Sequence, residues 1–330
     1  LNMDTGERIP FFAETDGNTD EPSEKSLLIR PMVRMPAGAR IAVAIRNSVK
    51  AYDGSELARP AGFQALVDDK SYNHPLFSKV EGRYPAIFEA LETAGVNRDE
   101  LVLAWDFVVA SDDFLTRDLL TMRDASLPAI GDAGANLSFE LEESSTRPDY
   151  VSNIYVGTHT APNFLTNGEA DKSRLIRDDE GLPVLSGEYE ANFAAIIPNC
   201  MADAELPRPV MLFGHGLFGT GEEYLDGRLL QQVAEDNCVV VVAGDWIGLS
   251  ERLIALAAFA SNDANYVWDL TEKLAQSVVN FIALENLIRG KLAADERFMR
   301  DGVPMLDATK VYYYGASLGG IMGNVFMAYD

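Results

Sequence analysis

The chain is short of positive charge, of histidine and of cysteine, and each shortage excludes something. Only 27 lysines and arginines stand against 51 aspartates and glutamates in 330 residues, a formal net charge of −24. A surface that acidic repels nucleic-acid phosphates and anionic lipid headgroups, so nucleic acid is excluded as a partner and a solvated, exported or salt-tolerant protein is expected. No apolar run approaches the length of a membrane helix; Val239 to Ala243 suits a buried strand. The two cysteines, Cys200 and Cys238, form no zinc pattern. Each lies beside an expected strand, and spacing leaves a disulfide and two buried thiols equally open. Asp16, Asn18 and Asp20 are spaced like calcium ligands, but the loop glycine and the closing glutamate are missing, so a surface turn is expected. No metal and no organic cofactor is called for.

What is present is a chain that is 47% hydrophobic and long enough for two domains. Before about residue 125 the pattern is mainly β. Leu27 to Ile29 and Ile41 to Ile45 are strand-like, and Leu101 to Val109 alternates with period two. Arg83 to Ala94 reads as a helix with Ile87, Phe88 and Leu91 on one face. A sandwich-like module with a helical insertion is expected over 1–125, with Asp112 capping a linking helix to about Met122. The polar stretch 126–148 carries the expected boundary and a possible strand at Leu137 to Leu141.

From residue 150 the pattern changes. Tyr150 to Val156 and Tyr189 to Ile197 read as strands. Val210 to Phe213, Cys238 to Ala243 and Val311 to Tyr314 are short apolar runs without alternation, expected of strands covered on both faces. Helices are expected between them, at Glu222 to Glu235 and Trp268 to Ala293. Strand and helix in alternation predict a parallel α/β sheet over 126–330. The apolar segment Leu253 to Phe259 reads as a buried helix, with a lid or substrate wall as the alternative.

Three motifs carry chemistry. Gly315-Ala316-Ser317-Leu318-Gly319 is a G-x-S-x-G pattern lying between an expected strand and an expected helix, the context of a nucleophile elbow. A serine thrust out of a sharp turn needs small neighbours two residues away on each side, hence Gly315 and Gly319. Gly214-His215-Gly216-Leu217-Phe218-Gly219 follows another strand, where such a sheet supplies an oxyanion donor. The backbone N–H groups of Leu217 and Leu318 are the expected pair. His215 and Gly216 shape that loop, the histidine by hydrogen bonding rather than as a base. Asp245, in Asp245-Trp246-Ile247-Gly248-Leu249-Ser250, shapes the pocket wall and precedes the serine, so it does not fit the role of triad acid.

A serine needs a base, usually histidine, oriented by an acid that follows the serine in this class. All three histidines, His74, His159 and His215, precede Ser317. The acid and the base are therefore expected beyond residue 330, the chain reading as truncated within a helix, with the sheet's last strands also to come.

Together Phe193 to Pro198, Pro209 to Gly219, Val240 to Ser250 and Val311 to Gly320 resemble secreted bacterial α/β-hydrolases of the lipase and esterase kind. The stretches Leu28 to Ile45 and Glu100 to Ala110 resemble the β-rich N-terminal region of virulence-factor-type lipases. The resemblance implies a serine carboxylesterase or lipase acting on small-molecule or lipid esters, exported to the cell envelope or beyond. Peptide or polyester hydrolysis on the same fold is the second reading. A non-catalytic surface binding protein is the third. The resemblance implies no oligomeric state.

Overall fold

The computed structural model describes residues 1–51, 53–147 and 149–330, with 145–147 as backbone alone. The chain divides into two compact units, Leu1–Thr116 and Arg117–Asp330.

The first unit holds two separate antiparallel ladders. One pairs β1 (Phe11–Thr15) with β2 (Leu27–Pro31), and the other pairs β3 (Arg40–Arg46) with β4 (Leu101–Val108). Three helices lie between β3 and β4 in sequence: α1 (Ala61–Val67), α2 (Phe77–Val80) and α3 (Tyr84–Thr93). Ile87, Phe88 and Leu91 of α3 are buried, as their shared face requires, and pack with Phe63, Ala42 and Ala104. Asp106 is drawn into that side because Arg40 and Arg83 both pair with it, the latter at 2.8 Å. A β-rich module is thus present, but as two short ladders with helices rather than a continuous sandwich.

The helix α4 (Asp112–Ile130) is longer than expected, running past Met122 with Pro128 inside it. It therefore passes through the start of the polar stretch in which the sequence places a boundary.

The second unit is built on a six-stranded sheet in the order β12-β8-β9-β7-β6-β5. The strands β5 (Phe139–Arg147), β6 (Val151–Pro162) and β7 (Glu188–Pro198) are antiparallel neighbours. The next strands, β8 (Arg208–Gly214) and β9 (Val240–Gly244), are parallel to each other. Helices α5 (Gly221–Asp226) and α6 (Arg228–Asn237) connect β8 to β9, and α7 (Ile254–Asn262) and α8 (Val267–Leu287) follow. A two-residue pair, β10 (Met299–Arg300) and β11 (Val303–Pro304), precedes β12 (Leu306–Gly315), which lies parallel to β8 and leads into α9 (Leu318–Tyr329).

The sheet is therefore mixed, not parallel throughout, and is compatible with a hydrolase-like fold. Helical crossovers return the chain in the same direction and make β8, β9 and β12 parallel. The direct connections from β5 to β6 and from β6 to β7 carry no helix, and those strands reverse. All five residues of β9 are buried, with Val240 and Val242 packed toward α8 and Val241 toward α6. Full burial of side chains such as Phe281 and Leu284 of α8 is worth about 1.5–3 kcal/mol each. Gln276 secures the same helix: its Nε2 donates to Pro162 O and its Oε1 accepts from Phe164 N, both at 2.8 Å.

Three local expectations are corrected. β12 is not covered on both faces, since it forms one end of the sheet with Tyr312 and Tyr314 largely exposed. The helix expected from Glu222 to Glu235 is two, because Gly227 takes an extended conformation (φ −74°, ψ 133°) and restarts the chain as the N-cap of α6. The apolar segment at 253–259 is not a buried helix: α7 buries Leu256 but turns Ile254 and Phe259 outward. Cys200 and Cys238 are joined in a disulfide with Cα atoms 5.7 Å apart, which resolves the alternatives left open by spacing. It ties the turn after β7 to the approach to β9, at the edge of the sheet remote from Ser317.

Candidate active site

Three parallel strands end side by side on glycine. Gly315 of β12 is in register with Gly214 of β8, and Gly214 with Gly244 of β9. Gly315 and Gly214 have no room for a side chain, and Gly244 has little. A Cβ on Gly214 would lie 2.5 Å from Trp246 Nε1, and one on Gly244 would lie 3.1 Å from Leu284 Cδ2 and 3.2 Å from Phe281 Cζ. The rings of Trp246 and Phe281 stack beneath this row at 3.7 Å.

Ser317 stands just past the row. It is exposed and its backbone is in the positive-φ region (φ 50°, ψ −109°), a conformation that costs a non-glycine residue on the order of 1–3 kcal/mol. The flanking glycines make the turn possible. A Cβ on Gly315 would sit 2.8 Å from Gly320 N, and one on Gly319 would sit 2.6 Å from the carbonyl carbon of Gly214 and 3.0 Å from His215 O. The elbow is thus pressed onto the end of β8, and Ala316 N donates to Gly214 O at 3.1 Å. Tyr313 adds a clamp that the sequence reading did not identify, its hydroxyl donating to Gly319 O at 2.7 Å. Burial raises the Tyr313 phenol well above its ordinary value, so it remains a donor.

Leu318 is the first residue of α9, and its N–H precedes the intrahelical ladder. The next three N–H groups are committed: Gly319 to Ala316 O, and Gly320 and Ile321 to Ser317 O. The positive end of the α9 dipole therefore opens beside Ser317. Across from it, the loop after β8 is held by Phe218 N to Leu249 O at 2.9 Å and Gly219 N to Gly216 O at 3.1 Å. Among the described hydrogen bonds Leu217 N makes none, and its side chain is exposed. Gly216 lies near the elbow, where a Cβ would be 3.7 Å from Ala316 O. Its absence of a side chain, and that of Gly219, also admits Tyr224: a Cβ on Gly216 would fall 2.5 Å from its hydroxyl oxygen and one on Gly219 2.7 Å from its ring. Tyr224 is a second residue that motif reading missed, because it comes from α5 and bears no catalytic signature.

His215 is fully buried and both its ring nitrogens are used. Nε2 accepts from Trp246 N at 2.8 Å, which leaves the proton on Nδ1 to be donated to Gly216 O at 2.7 Å. Burial lowers its pKa and keeps it neutral. Asp245 Oδ1 accepts from Gly221 N at 2.7 Å, and its Oδ2 pairs with Arg252 at 2.8 Å. Arg252 reaches on to Glu169 at 2.9 Å. These bonds fasten the loops after β8 and β9 to one another. Gly248 completes the fastening: its φ of +102° and the Leu274 N that a Cβ would meet at 3.0 Å leave space only for glycine.

His159 is not free for catalysis at this point. His159 lies within β6, buried against the Phe193 ring, and burial pushes its pKa down to about 4, with Nδ1 3.1 Å from Thr160 O. His74 belongs to the first unit, where its Nδ1 accepts from Leu76 N. Among the described residues no group of three or more His, Cys, Asp or Glu is placed to hold a metal ion, and no helix is long and apolar enough to cross a membrane.

No family model matches the chain, and no curated protein matches it. Among solved structures it has a distant likeness to an acetyl xylan esterase from Paenibacillus sp. R4, at 13% identity and a TM-score of 0.35. The match covers 66% of this chain and 55% of the esterase, so the chain spans about half the length of that structure.

Proposed function

We propose that this chain carries the nucleophile and oxyanion hole of a serine ester hydrolase. The observation that carries the reading is the exposed Ser317, held at positive φ between β12 and the N-terminus of α9. Its hydroxyl attacks the acyl carbon. The oxygen that becomes negative is stabilised by the N–H groups of Leu318 and Leu217, donors typically worth about 2.7–4 kcal/mol each in the transition state. The alcohol leaves, water attacks the acyl-enzyme, and the serine is regenerated. With His215 and His159 buried in structural roles, the proposal assigns the proton transfer to neither of them.

Esters are preferred over amides as the first substrates to try because an alkoxide leaves more readily than an amide nitrogen. A lipid or small-molecule ester, and a protein exported to the cell envelope or beyond, are parts of the same proposal. In the complete protein, Ser317→Ala abolishes ester turnover and labelling by a fluorophosphonate probe. Undiminished turnover in that variant overturns the proposal. Absence of labelling in the unaltered complete protein would instead favour a binding role.

A further inference from the structure

The first unit exposes a feature that the serine does not use. β1–β2 and β3–β4 turn apolar faces toward each other and leave a slot of about 500 Å³ between them. The registers make this systematic. Phe11 opposite Pro31 and Ala13 opposite Ile29 put one face of the first ladder into the slot. Val43 opposite Trp105 and Ile41 opposite Phe107 do the same from the second. The opposite face of β3–β4, at Ala42 and Ala104, is the one sealed by helices. Large side chains are left uncovered in consequence: Phe11 is 58% exposed and Trp105 and Phe107 are each 36% exposed. Contiguous uncovered apolar surface of this kind marks a binding site, and the volume falls within the usual range of small-molecule pockets, roughly 300–1,000 Å³.

The polar groups on the slot have one sign. Arg8 and Arg46 contribute to its lining, in a chain whose net charge is −24. Arg46 is paired with Glu100. Arg8 has no carboxylate partner among the described residues and donates to the Ala94 carbonyl at 2.7 Å. An apolar slot with an uncompensated guanidinium calls for a long apolar chain ending in an anion.

We propose that the slot between the two ladders of the first unit binds a free fatty acid, its acyl chain against Val43, Trp105 and Ile29 and its carboxylate at Arg8. This assignment is independent of the serine and stands or falls without it.

Calorimetric titration of the full chain with octanoate, decanoate, dodecanoate and tetradecanoate, each kept monomeric, tests it. Saturable one-to-one binding is expected, tightening by up to about fourfold per methylene until the slot is filled. Arg8→Gln weakens dodecanoate by about tenfold or more and leaves dodecanol unchanged. Ala13→Trp fills the slot and removes both. Should that variant fold poorly, bromododecanoate supplies a second readout: it quenches the tryptophan emission of the unaltered chain, and Trp105→Phe loses that quenching. No saturable binding at any length overturns the proposal. So does a chain that dimerises in sedimentation through the surface that Ala13→Trp blocks, or binding to phosphatidylcholine vesicles without binding to the monomeric acid.

Discussion

Replacing Gly319 by alanine forces a methyl group into the contact between the elbow and the end of β8. The added carbon would lie 2.6 Å from the Gly214 carbonyl carbon and 3.0 Å from His215 O, and both belong to backbone that cannot rotate away. Overpacking of this kind costs about 1–3 kcal/mol. For a domain of about 200 residues each kcal/mol is about 2–4 °C in melting temperature, so a fall of about 2–12 °C is expected. Moving the elbow by about 1 Å also separates the two N–H groups proposed to share the oxyanion, which costs about 100-fold in rate. Gly320→Ala is the matched control. Its nearest neighbour, Gly315 O, is 3.6 Å from the added carbon, an ordinary contact, and the site is within α9, where alanine is favoured by up to about 1 kcal/mol. Melting by circular dichroism and fluorophosphonate labelling of the complete protein read the two consequences separately. If the two alanine variants melt together and label alike, the close packing of the elbow on β8 is not what sets its geometry, and the reasoning fails.

Other perturbations give equally direct readings. Ser317→Gly removes labelling yet raises stability by about 1–3 kcal/mol in urea denaturation, because glycine adopts the positive φ without strain. His159 titrates near 4 when folded and near 6.5 when unfolded, so the unfolded chain binds the proton first as pH falls. Stability is then complete above about pH 6.5 and declines toward pH 4. At pH 4.5 the loss from this group is about 2–3 kcal/mol, and His159→Gln should flatten that part of the profile. Reducing Cys200–Cys238, which closes a separation of 38 residues, should cost about 2–5 kcal/mol, measured as the shift in urea midpoint with and without dithiothreitol.

The legible parts of the fold were those in which one residue type has one use. Val210, Val240 and Val241 have no place outside a covered strand, and Ile87, Phe88 and Leu91 define a helix face by spacing alone. Tyrosine is the contrary case. Tyr312, Tyr313 and Tyr314 read as one apolar run, yet Tyr313 turns in to clamp Gly319 while its two neighbours face outward, and nothing local distinguishes them. Alternation in Leu101 to Val109 gives two faces without saying which one is sealed. The small residues, Ala42 and Ala104, turned out to face the helices, and the aromatic residues to face the slot. Strand direction was lost where no helix intervenes, as between β6 and β7, since a hydrophobic run has no arrow. At the candidate site the glycines of both motifs carried the signal, because close approach admits nothing else. Tyr224 and Arg252 were hidden because their effect depends on what lies across from them in space.

The glycine row at 315, 214 and 244 leaves the floor of the candidate site bare. The edge where chemistry is proposed has no side chains of its own, and its underside is fixed by Trp246 and Phe281. Everything by which one substrate is told from another must therefore be supplied by loops that rise above it, such as the one bearing the exposed Leu217.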